Sequence, residues 1–312
     1  MKKILFGLLV VMAAAVAAPS GSATERRFGP LVSADQLANF GSADALFILD
    51  IRGKAVKDGY IPGAISVSYR EFRGPSTNPG QLVTDAHLTN LFQRLGLTTD
   101  KPTVITYQGK NETDFGAAAR VYWTLKSAGI KHLAILNGGM NAWTKDASRP
   151  VSATPATPQP SKIAVTFSNK WLATRNNVLA VVKGEDDARL IDARPEAFYR
   201  GKKQHPAAAR PGTLPRSDYF AHSKWFDGGG SIIDESAAQT LANANGLKKE
   251  GPLVSFCNTG HWAATNWFAL SELGGIEAVK LYPESMVGWS HAKLPMANTP
   301  GLLENLLNKI RR

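Results

Sequence analysis

The chain has 312 residues, of which 44% are hydrophobic and 20% are charged, so it can bury a sizeable core. This composition excludes a disordered chain, a fibrous protein and a small scaffold held together by disulfides. The single cysteine excludes a disulfide within one chain and any zinc or iron–sulfur site built from clustered cysteines. A formal net charge of +11 favours an acidic partner, but the sequence contains nothing that resembles a nucleic-acid-binding module.

Residues 1–23 have the pattern of a secretory signal peptide. Two lysines precede an apolar run from Ile4 to Val16, and small residues suitable for cleavage follow it. The alternative is a membrane anchor, but the run is shorter than the ~20 residues that a spanning helix needs. We therefore expect the segment to be removed, leaving a periplasmic protein that is not inserted in a membrane.

The rest of the chain repeats itself with a period of about 145 residues, which indicates duplicated domains. In the first matching pair of segments, an apolar strand ends in Asp-x-Arg in both copies, and in the third pair Gln108 falls opposite Cys257. The four pairs are 46–52 with 189–194, 61–64 with 210–213, 103–108 with 253–257, and 140–143 with 286–289.

Short β-rich runs alternate with helical patterns in each half, such as 84–97 and 234–247, which predicts α/β units with mainly parallel sheets. Residues 151–161 are rich in Pro, Thr and Ala without apolar periodicity, which is typical of an extended linker. The predicted domains are residues 24–150 and 162–300. A tail, 301–312, follows them, and its residues 302–310 have the pattern of a short helix.

Cys257 lies between a predicted strand, 252–256, and a predicted helix, 263–273. Such a turn places the sulfur at the carboxyl end of a parallel strand, where the N–H groups of a helix N-terminus stabilise an anion. These dipoles are expected to lower the pKa of the thiol and make it a nucleophile at neutral pH. The alternative is a buried structural cysteine, but the polar, glycine-containing loop argues against burial.

The sequence resembles the tandem-domain rhodanese family of sulfurtransferases over nearly the whole mature chain. The resemblance rests on the two Asp-x-Arg motifs at 50–52 and 192–194, on Gly-Tyr-Ile-Pro-Gly-Ala at 59–64, on Asn-Gly-Gly-Met-Asn-Ala-Trp at 137–143, and on the loop that opens with Cys257. It implies two rhodanese domains, each a central, mainly parallel sheet with helices on both faces, of which the second is catalytic.

Gln108 occupies the expected cysteine position of the first domain, in a loop about three residues longer than its counterpart. Because glutamine cannot carry a persulfide, this domain is expected to be silent.

The resemblance also implies the reaction. A thiolate at Cys257 attacks the outer sulfur of a small anionic donor such as thiosulfate and keeps that sulfur as a persulfide. A thiophilic acceptor, such as cyanide or a thiol, then removes it, so ping-pong kinetics are expected. No metal or organic cofactor is expected.

The loop after the cysteine departs from both common family versions, since thiosulfate-type loops carry Arg and Lys and mercaptopyruvate-type loops carry small residues. His261 is expected either to donate to a sulfonate or carboxylate, or to shift the thiol pKa, or else to be an exposed loop histidine. Phe198 stands where a family substrate arginine usually lies, and Arg200 is the nearest replacement. Arg194 is favoured as a structural ion pair over a substrate contact. The candidate substrate-binding residues are Asn258, Thr259, Gly260, His261, Trp262, Arg200 and Arg194.

Three alternatives to a thiosulfate-using enzyme follow. One is a 3-mercaptopyruvate sulfurtransferase, and another is a persulfide carrier or redox partner that hands sulfur to another exported protein. A cysteine phosphatase would need an arginine to close the loop around phosphate, but position 263 is alanine. The tryptophans Trp143, Trp267 and Trp289 are expected to pack in the core or between the domains.

Overall fold

The structure is a computed structural model that describes residues 28–40, 45–53, 56–248 and 251–301. The predicted signal peptide, 1–23, and the predicted tail helix, 302–310, lie outside these residues. Within the described ranges, no helix combines the length and the apolar character that crossing a bilayer requires.

The first domain contains a parallel sheet of five strands in the order β1-β5-β4-β2-β3. Its strands are β1 (Leu31–Val32), β2 (Phe47–Asp50), β3 (Ile65–Ser66), β4 (Thr103–Thr106) and β5 (Leu133–Leu136). Its helices are α1 (Ala34–Ala38), α2 (Asp85–Leu95), α3 (Glu112–Ser127) and α4 (Gly139–Thr144).

The second domain repeats this arrangement with a parallel sheet of four strands in the order β7-β6-β8-β9. Its strands are β6 (Arg189–Asp192), β7 (Ser217–Tyr219), β8 (Leu253–Phe256) and β9 (Val279–Leu281). Its helices are α5 (Arg175–Lys183), α6 (Glu196–Tyr199), α7 (Glu235–Ala244), α8 (Trp262–Phe268) and α9 (Ser285–His291), and a π-helical turn, Ala269–Leu273, continues α8. The prediction of two mainly parallel sheets flanked by helices is confirmed.

Local sequence signals explain where the elements form. The central strands β2, β4 and β8 are buried along their whole length, as expected for continuous apolar runs in parallel sheets covered on both faces. The Thr84 side chain caps the start of α2, and Gly96 ends that helix in the left-handed conformation. The Asn111 side chain accepts hydrogen bonds from two N–H groups in the first turn of α3.

The two domains share one apolar core. The largest buried cluster contains residues of both sheets and continues through the contact between α3 and α8. At its centre Phe268 packs edge-on against Phe115 and Tyr122, with ring centroids 5.5 and 5.0 Å apart. Trp267, Trp289 and Trp143 are buried in the clusters of their domains, as their predicted packing role requires. The contact between α3 and α8 fixes the start of α8, and with it the cysteine loop, against the first domain.

The segment 151–161 runs along the first domain without forming a helix or a strand, apart from an isolated bridge between Ser152 and Tyr60. Its backbone donates to the first domain through Ala156 N–H to Ala64 O and Ser161 N–H to Gln93 O, both at 2.9 Å.

Candidate active site

Cys257 directly follows β8, at the carboxyl end of the central strand of the second sheet. Its N–H donates to Ser285 Oγ at 2.9 Å, and its carbonyl accepts from Met286 N–H at 3.0 Å. The cysteine is only 1% exposed, which corrects the expectation that its polar loop prevents burial. The loop is enclosed because it lies between the start of α9 and the first domain, a long-range contact that the local sequence does not encode.

The backbone around the cysteine offers a set of unused donors. In the described part of the chain, none of the N–H groups of residues 258–262 has a hydrogen-bond acceptor, whereas the carbonyls of residues 258–261 all accept hydrogen bonds. Gly260 adopts a φ of 67°, and a Cβ there would lie 2.5 Å from Arg120 Nη1, so that only glycine fits. Successive free N–H groups of this kind form a concave binding site for an anion.

A cavity of about 220 Å³ opens beside the sulfur. Its lining contains no acidic side chain, lysine or arginine, and one of its members, Thr113, comes from the first domain. The lining residues are Thr113, His205, Cys257, Asn258, Thr259, His261 and Trp262. Of the predicted substrate-binding residues, the loop members Asn258, Thr259, His261 and Trp262 therefore meet at the sulfur.

His261 is half-buried and held by the first domain on both sides of its ring. Its Nε2 lies 2.7 Å from Thr113 O and must donate to it, which leaves Nδ1 to accept from the Tyr69 hydroxyl at 3.0 Å. Burial, with the positive charge of Arg73 as the next cause, lowers the pKa of His261 to about 3, so the ring is neutral at neutral pH. In this arrangement neither ring nitrogen of His261 is free to donate to a substrate anion, and the ring is half-buried rather than exposed. Both ring nitrogens already have protein partners.

Trp262 closes one side of the cavity. Its ring stacks on His222 with centroids 4.8 Å apart and meets the ring of Phe198 edge-on. Its Nε1–H donates to Thr113 Oγ1 at 3.2 Å, which adds another link to the first domain.

Asn258 is the loop side chain with a free donor. The residue is 3% exposed, and its Oδ1 accepts from Arg194 Nη1 at 3.3 Å. Its Nδ2 is buried without a partner in the described part of the chain. Because an unpaired buried donor is costly, this amide is suited to bind a ligand atom in the adjoining cavity.

The two predicted arginines have different surroundings. Arg194 is 2% exposed and donates to the carboxylate of Asp192, to Gly212 O at 2.9 Å and to Asn258, which agrees with the structural ion pair favoured from sequence. Arg200 is exposed, pairs with Glu196 at 3.2 Å and is absent from the cavity lining. The structure does not bring Arg200 to the sulfur.

The first domain contributes residues to the site that were not among those predicted from the sequence. Arg73 Nη2 donates to Thr259 O at 2.8 Å, and Arg120 Nη1 donates to Gly260 O at 3.3 Å. The sequence offers one signal for Arg120: a charged residue on the face of α3 that is otherwise apolar and buried. No local pattern identifies Tyr69, Arg73 or Thr113.

Tyr107, not Gln108, occupies the position of the cysteine in the first domain. Thr106 pairs with Asp50 just as Phe256 pairs with Asp192, and Tyr107 O accepts from Met140 N–H as Cys257 O does from Met286 N–H. Gln108 matches Asn258, since Gln108 Oε1 accepts from Arg52 as Asn258 Oδ1 accepts from Arg194.

The predicted three-residue extension of the first loop is also wrong. Helix α3 begins at Glu112, as far from Tyr107 as the start of α8 at Trp262 is from Cys257. The side chain of Asn111 caps α3 earlier than its apolar pattern suggests. A tyrosine cannot carry a persulfide, so this loop has no sulfur nucleophile.

The described residues contain no group of three or more His, Cys, Asp or Glu side chains arranged to hold a metal ion. The free donors at Cys257 are backbone N–H groups and the side-chain amide of Asn258, which suit an anionic ligand.

Comparison with known proteins places the chain in a family. The model for the rhodanese-like domain matches twice, at residues 33–146 and 175–292. A Mycolicibacterium smegmatis protein named "Putative thiosulfate sulfurtransferase" is 31% identical over 266 residues, which cover 82% of this chain and 92% of the relative. The sulfur carrier protein TtuD of Thermus thermophilus is 27% identical over 243 residues, which cover 75% of this chain and 83% of the relative.

Among solved structures, the fold is similar to that of SseA from Escherichia coli, described with the fold and catalytic mechanism of 3-mercaptopyruvate sulfotransferases. The TM-score is 0.68 at 21% identity, and the match covers 81% of this chain and 97% of SseA. With two matching domains, a lone cysteine at the start of the second loop and relatives named for sulfur transfer, the chain belongs to the rhodanese-like sulfurtransferase family.

Proposed function

We propose that the protein is a sulfurtransferase that takes a sulfur atom from thiosulfate, or a similar small anion, as a persulfide on Cys257 and passes it to a thiophilic acceptor. The observation that carries this proposal is the placement of the lone cysteine beside a cavity and next to the unpaired N–H groups of residues 258–262.

The reaction proceeds in two displacements. The Cys257 thiolate attacks the outer sulfur of thiosulfate, the sulfur–sulfur bond of the donor breaks, and sulfite leaves with the bonding electron pair. The anionic persulfide is stabilised by the loop N–H groups and by Asn258 Nδ2. Cyanide or a thiolate then attacks the outer sulfur, forms thiocyanate or an acceptor persulfide, and returns the electron pair to Cys257 as a thiolate.

Cys257→Ser tests the role of the cysteine. We expect the variant to lose thiosulfate-to-cyanide transfer by at least about 1,000-fold, the scale on which loss of a nucleophile acts. Its circular dichroism spectrum and unfolding transition should stay close to those of the wild type. Thiocyanate formation by a purified, folded Cys257→Ser protein at more than a tenth of the wild-type rate would contradict the proposal.

Two similarities to known proteins point to different sulfur donors. The name of the Mycolicibacterium relative supports thiosulfate, whereas the similarity to SseA supports 3-mercaptopyruvate. The cavity lining lacks the cations that thiosulfate-type loops carry, so the loop N–H groups would bind either anion. Steady-state rates with the two donors, each with cyanide as acceptor, rank them directly, and a higher kcat/KM with 3-mercaptopyruvate would replace thiosulfate in the proposal.

A second candidate function is that of a persulfide carrier for another protein. It is favoured by the burial of Cys257, which shields a persulfide from small thiols, and by the similarity to the sulfur carrier TtuD. A carrier is expected to hold the persulfide for hours in the presence of cyanide and to release it to a protein thiol. An enzyme turns over with cyanide in the same assay.

We also propose that residues 1–23 direct export and are removed, so that the mature protein acts in the periplasm. The apolar run that follows the two N-terminal lysines supports this proposal. The mass of the protein recovered from a periplasmic extract tests it. A full-length mass in the cytosolic fraction alone would contradict it.

A further inference from the structure

Two arginines of the first domain reach the cysteine loop of the second. Arg73 follows a 3₁₀ turn at Tyr69–Phe72 and donates to Thr259 O, while Arg120 lies on α3 and donates to Gly260 O and to Gly80 O. Arg120 is 1% exposed and pairs with no carboxylate in the described residues, and its Nε is buried without a partner, as is Arg73 Nη1.

Holding the guanidinium groups of Arg73 and Arg120 at this contact is costly, because desolvation opposes the burial of an unpaired charge. Burial, with the nearby charge of Arg73 as the next cause, lowers the pKa of Arg120 to about 9, so the side chain is still protonated at neutral pH. The Trp123 ring, whose centroid lies 5.0 Å from the guanidinium carbon of Arg120, offsets part of this cost. An anion that is present only during function offsets more of it, because it supplies the negative charge that the described residues do not place beside Arg120.

The other ionisable groups that the structure describes around Cys257 supply no free positive charge at neutral pH. Burial lowers the pKa of all three nearby histidines, His205, His222 and His261, and raises that of Tyr69, so each is neutral. Among the described residues, Arg194 is the only other arginine bonded to the loop, and the carboxylate of Asp192 neutralises it. The electrostatic interactions of Arg120 and Tyr69 include Cys257 itself.

The arginines act on the loop through its peptide bonds. In a trans peptide, the C=O and N–H groups point in opposite directions. The unit that carries Thr259 O therefore presents the N–H of Gly260 on its other side, and the unit that carries Gly260 O presents that of His261. Both N–H groups belong to the unpaired set beside the sulfur. A charge-assisted bond to each carbonyl polarises the unit and makes its N–H a stronger donor.

We propose that Arg73 and Arg120 are positioning residues through which the first domain, which has no cysteine, supplies the positive charge that stabilises the thiolate and the persulfide of Cys257. The inference rests on the proposed function of Cys257 and gives the silent domain a part in it. The cations that thiosulfate-type loops carry on the loop itself come here from the other domain.

The test is the pH dependence of Cys257 ionisation, measured by the rate of alkylation with iodoacetamide and by thiolate ultraviolet absorbance. Because Cys257 is the only cysteine, both signals report on it alone. Arg73→Gln is expected to raise the thiol pKa by about one unit, as loss of a neighbouring opposite charge does. Arg73→Lys keeps the charge, so its thiol pKa should lie between the values of the wild type and Arg73→Gln. The matched control is Arg70→Gln, the same charge change at an exposed position of the same 3₁₀ turn, which should leave the thiol pKa unchanged.

A thiol pKa that is equal in wild type, Arg70→Gln and Arg73→Gln overturns the inference. If Arg73→Gln does not fold, the thiol titrations of the wild type and of Arg73→Lys test the inference instead. A wild-type midpoint at or above the ~8.5 of a free cysteine overturns it, whereas a lowered midpoint that rises in folded Arg73→Lys supports it. The readout needs no sulfur donor. A shifted pKa in a protein that accepts no sulfur would therefore refute the proposed function and leave this inference standing.

Discussion

At the scale of single residues, His261 has a fixed tautomer. The carbonyl of Thr113 requires a proton on Nε2, and the hydroxyl of Tyr69 then donates to Nδ1. Protonation of Nδ1 would turn that acceptor into a donor, and burial opposes the charge as well. The ring is therefore part of the contact between the domains, and its neutral form is the one that keeps the cysteine loop in place.

This histidine makes stability depend on pH. Its pKa is lowered to about 3 in the folded protein from about 6.5 in the unfolded chain, so the unfolded chain binds the extra proton at intermediate pH. Its contribution to stability is complete above pH ~6.5 and is lost progressively as the pH falls towards 3. Between pH 7.5 and 5, the free energy of unfolding is expected to drop by about 1 to 2 kcal/mol on this account.

Urea unfolding at the two pH values measures the drop. The pH dependence should be smaller in His261→Gln and unchanged in His132→Gln, the control at an exposed histidine. Burial also lowers the pKa values of His205 and His222, so part of the pH dependence of stability remains in both variants. An equal drop in wild type and His261→Gln would show that the ring is not held neutral by burial.

At the scale of elements, the site depends on the packing of α3 against α8. Gly116 of α3 faces the His261 ring so closely that a Cβ would lie 2.8 Å from Cδ2 and 2.9 Å from Nε2. The ring cannot move aside without losing its hydrogen bonds to Thr113 and Tyr69. A glycine within a helix, which costs about 1 kcal/mol relative to alanine, is therefore explained by the close approach of the loop.

Gly116→Ala separates stability from activity. Helix propensity alone would stabilise the variant, but displacement of His261 should misplace the cysteine loop and lower sulfur transfer by roughly 10- to 100-fold. Ala117→Gly, on the same helix, is the converse control and should cost about 1 kcal/mol of stability with little effect on turnover. Steady-state rates and urea unfolding of both variants check this. Full activity of Gly116→Ala would show that the contact between Gly116 and His261 does not position the cysteine loop.

At the scale of the whole molecule, each domain covers the loop of the other. Arg73 and Tyr69 of the first domain contact the Cys257 loop, and the corresponding segment of the second domain brings Gly230 against the Tyr107 loop. The Tyr107 hydroxyl donates to Gly230 O at 2.6 Å and accepts from Gly138 N–H at 3.2 Å. The Tyr107 side chain thus bonds within its own loop and across to the second domain, while a cavity opens beside Cys257.

Tyr107→Phe tests the structural role of the loop that opens with Tyr107. The variant loses both hydrogen bonds of a nearly buried hydroxyl and is expected to be less stable by about 1 to 3 kcal/mol. Sulfur transfer should stay within about twofold of the wild type, because Tyr107 lies in the loop that has no nucleophile. Unfolding in urea and thiosulfate kinetics provide the two readouts. A large loss of turnover in a folded variant would show that the first loop takes part in the reaction.

The sequence predicted the features that short stretches encode: the repeat, the paired Asp-x-Arg motifs, and a cysteine between a strand and a helix. The residue that matches Cys257 in the first half was predicted one position too late. Residue type favoured Gln108, whereas the strand pairing and the hydrogen bonds align Tyr107 with Cys257. The contacts of Arg73, Arg120 and Thr113 could not be predicted. They arise only when the domains pack, and no periodicity records which residues of one domain face a loop of the other.

Transfer of a sulfur atom to Cys257 would change the mass of the protein. It can be followed by intact mass spectrometry after incubation with thiosulfate, and separately with 3-mercaptopyruvate. We expect a gain of about 32 Da, one sulfur atom, that is lost on addition of cyanide with release of thiocyanate and is absent from Cys257→Ser. An unchanged mass with both donors, or the same gain in Cys257→Ser, would contradict it.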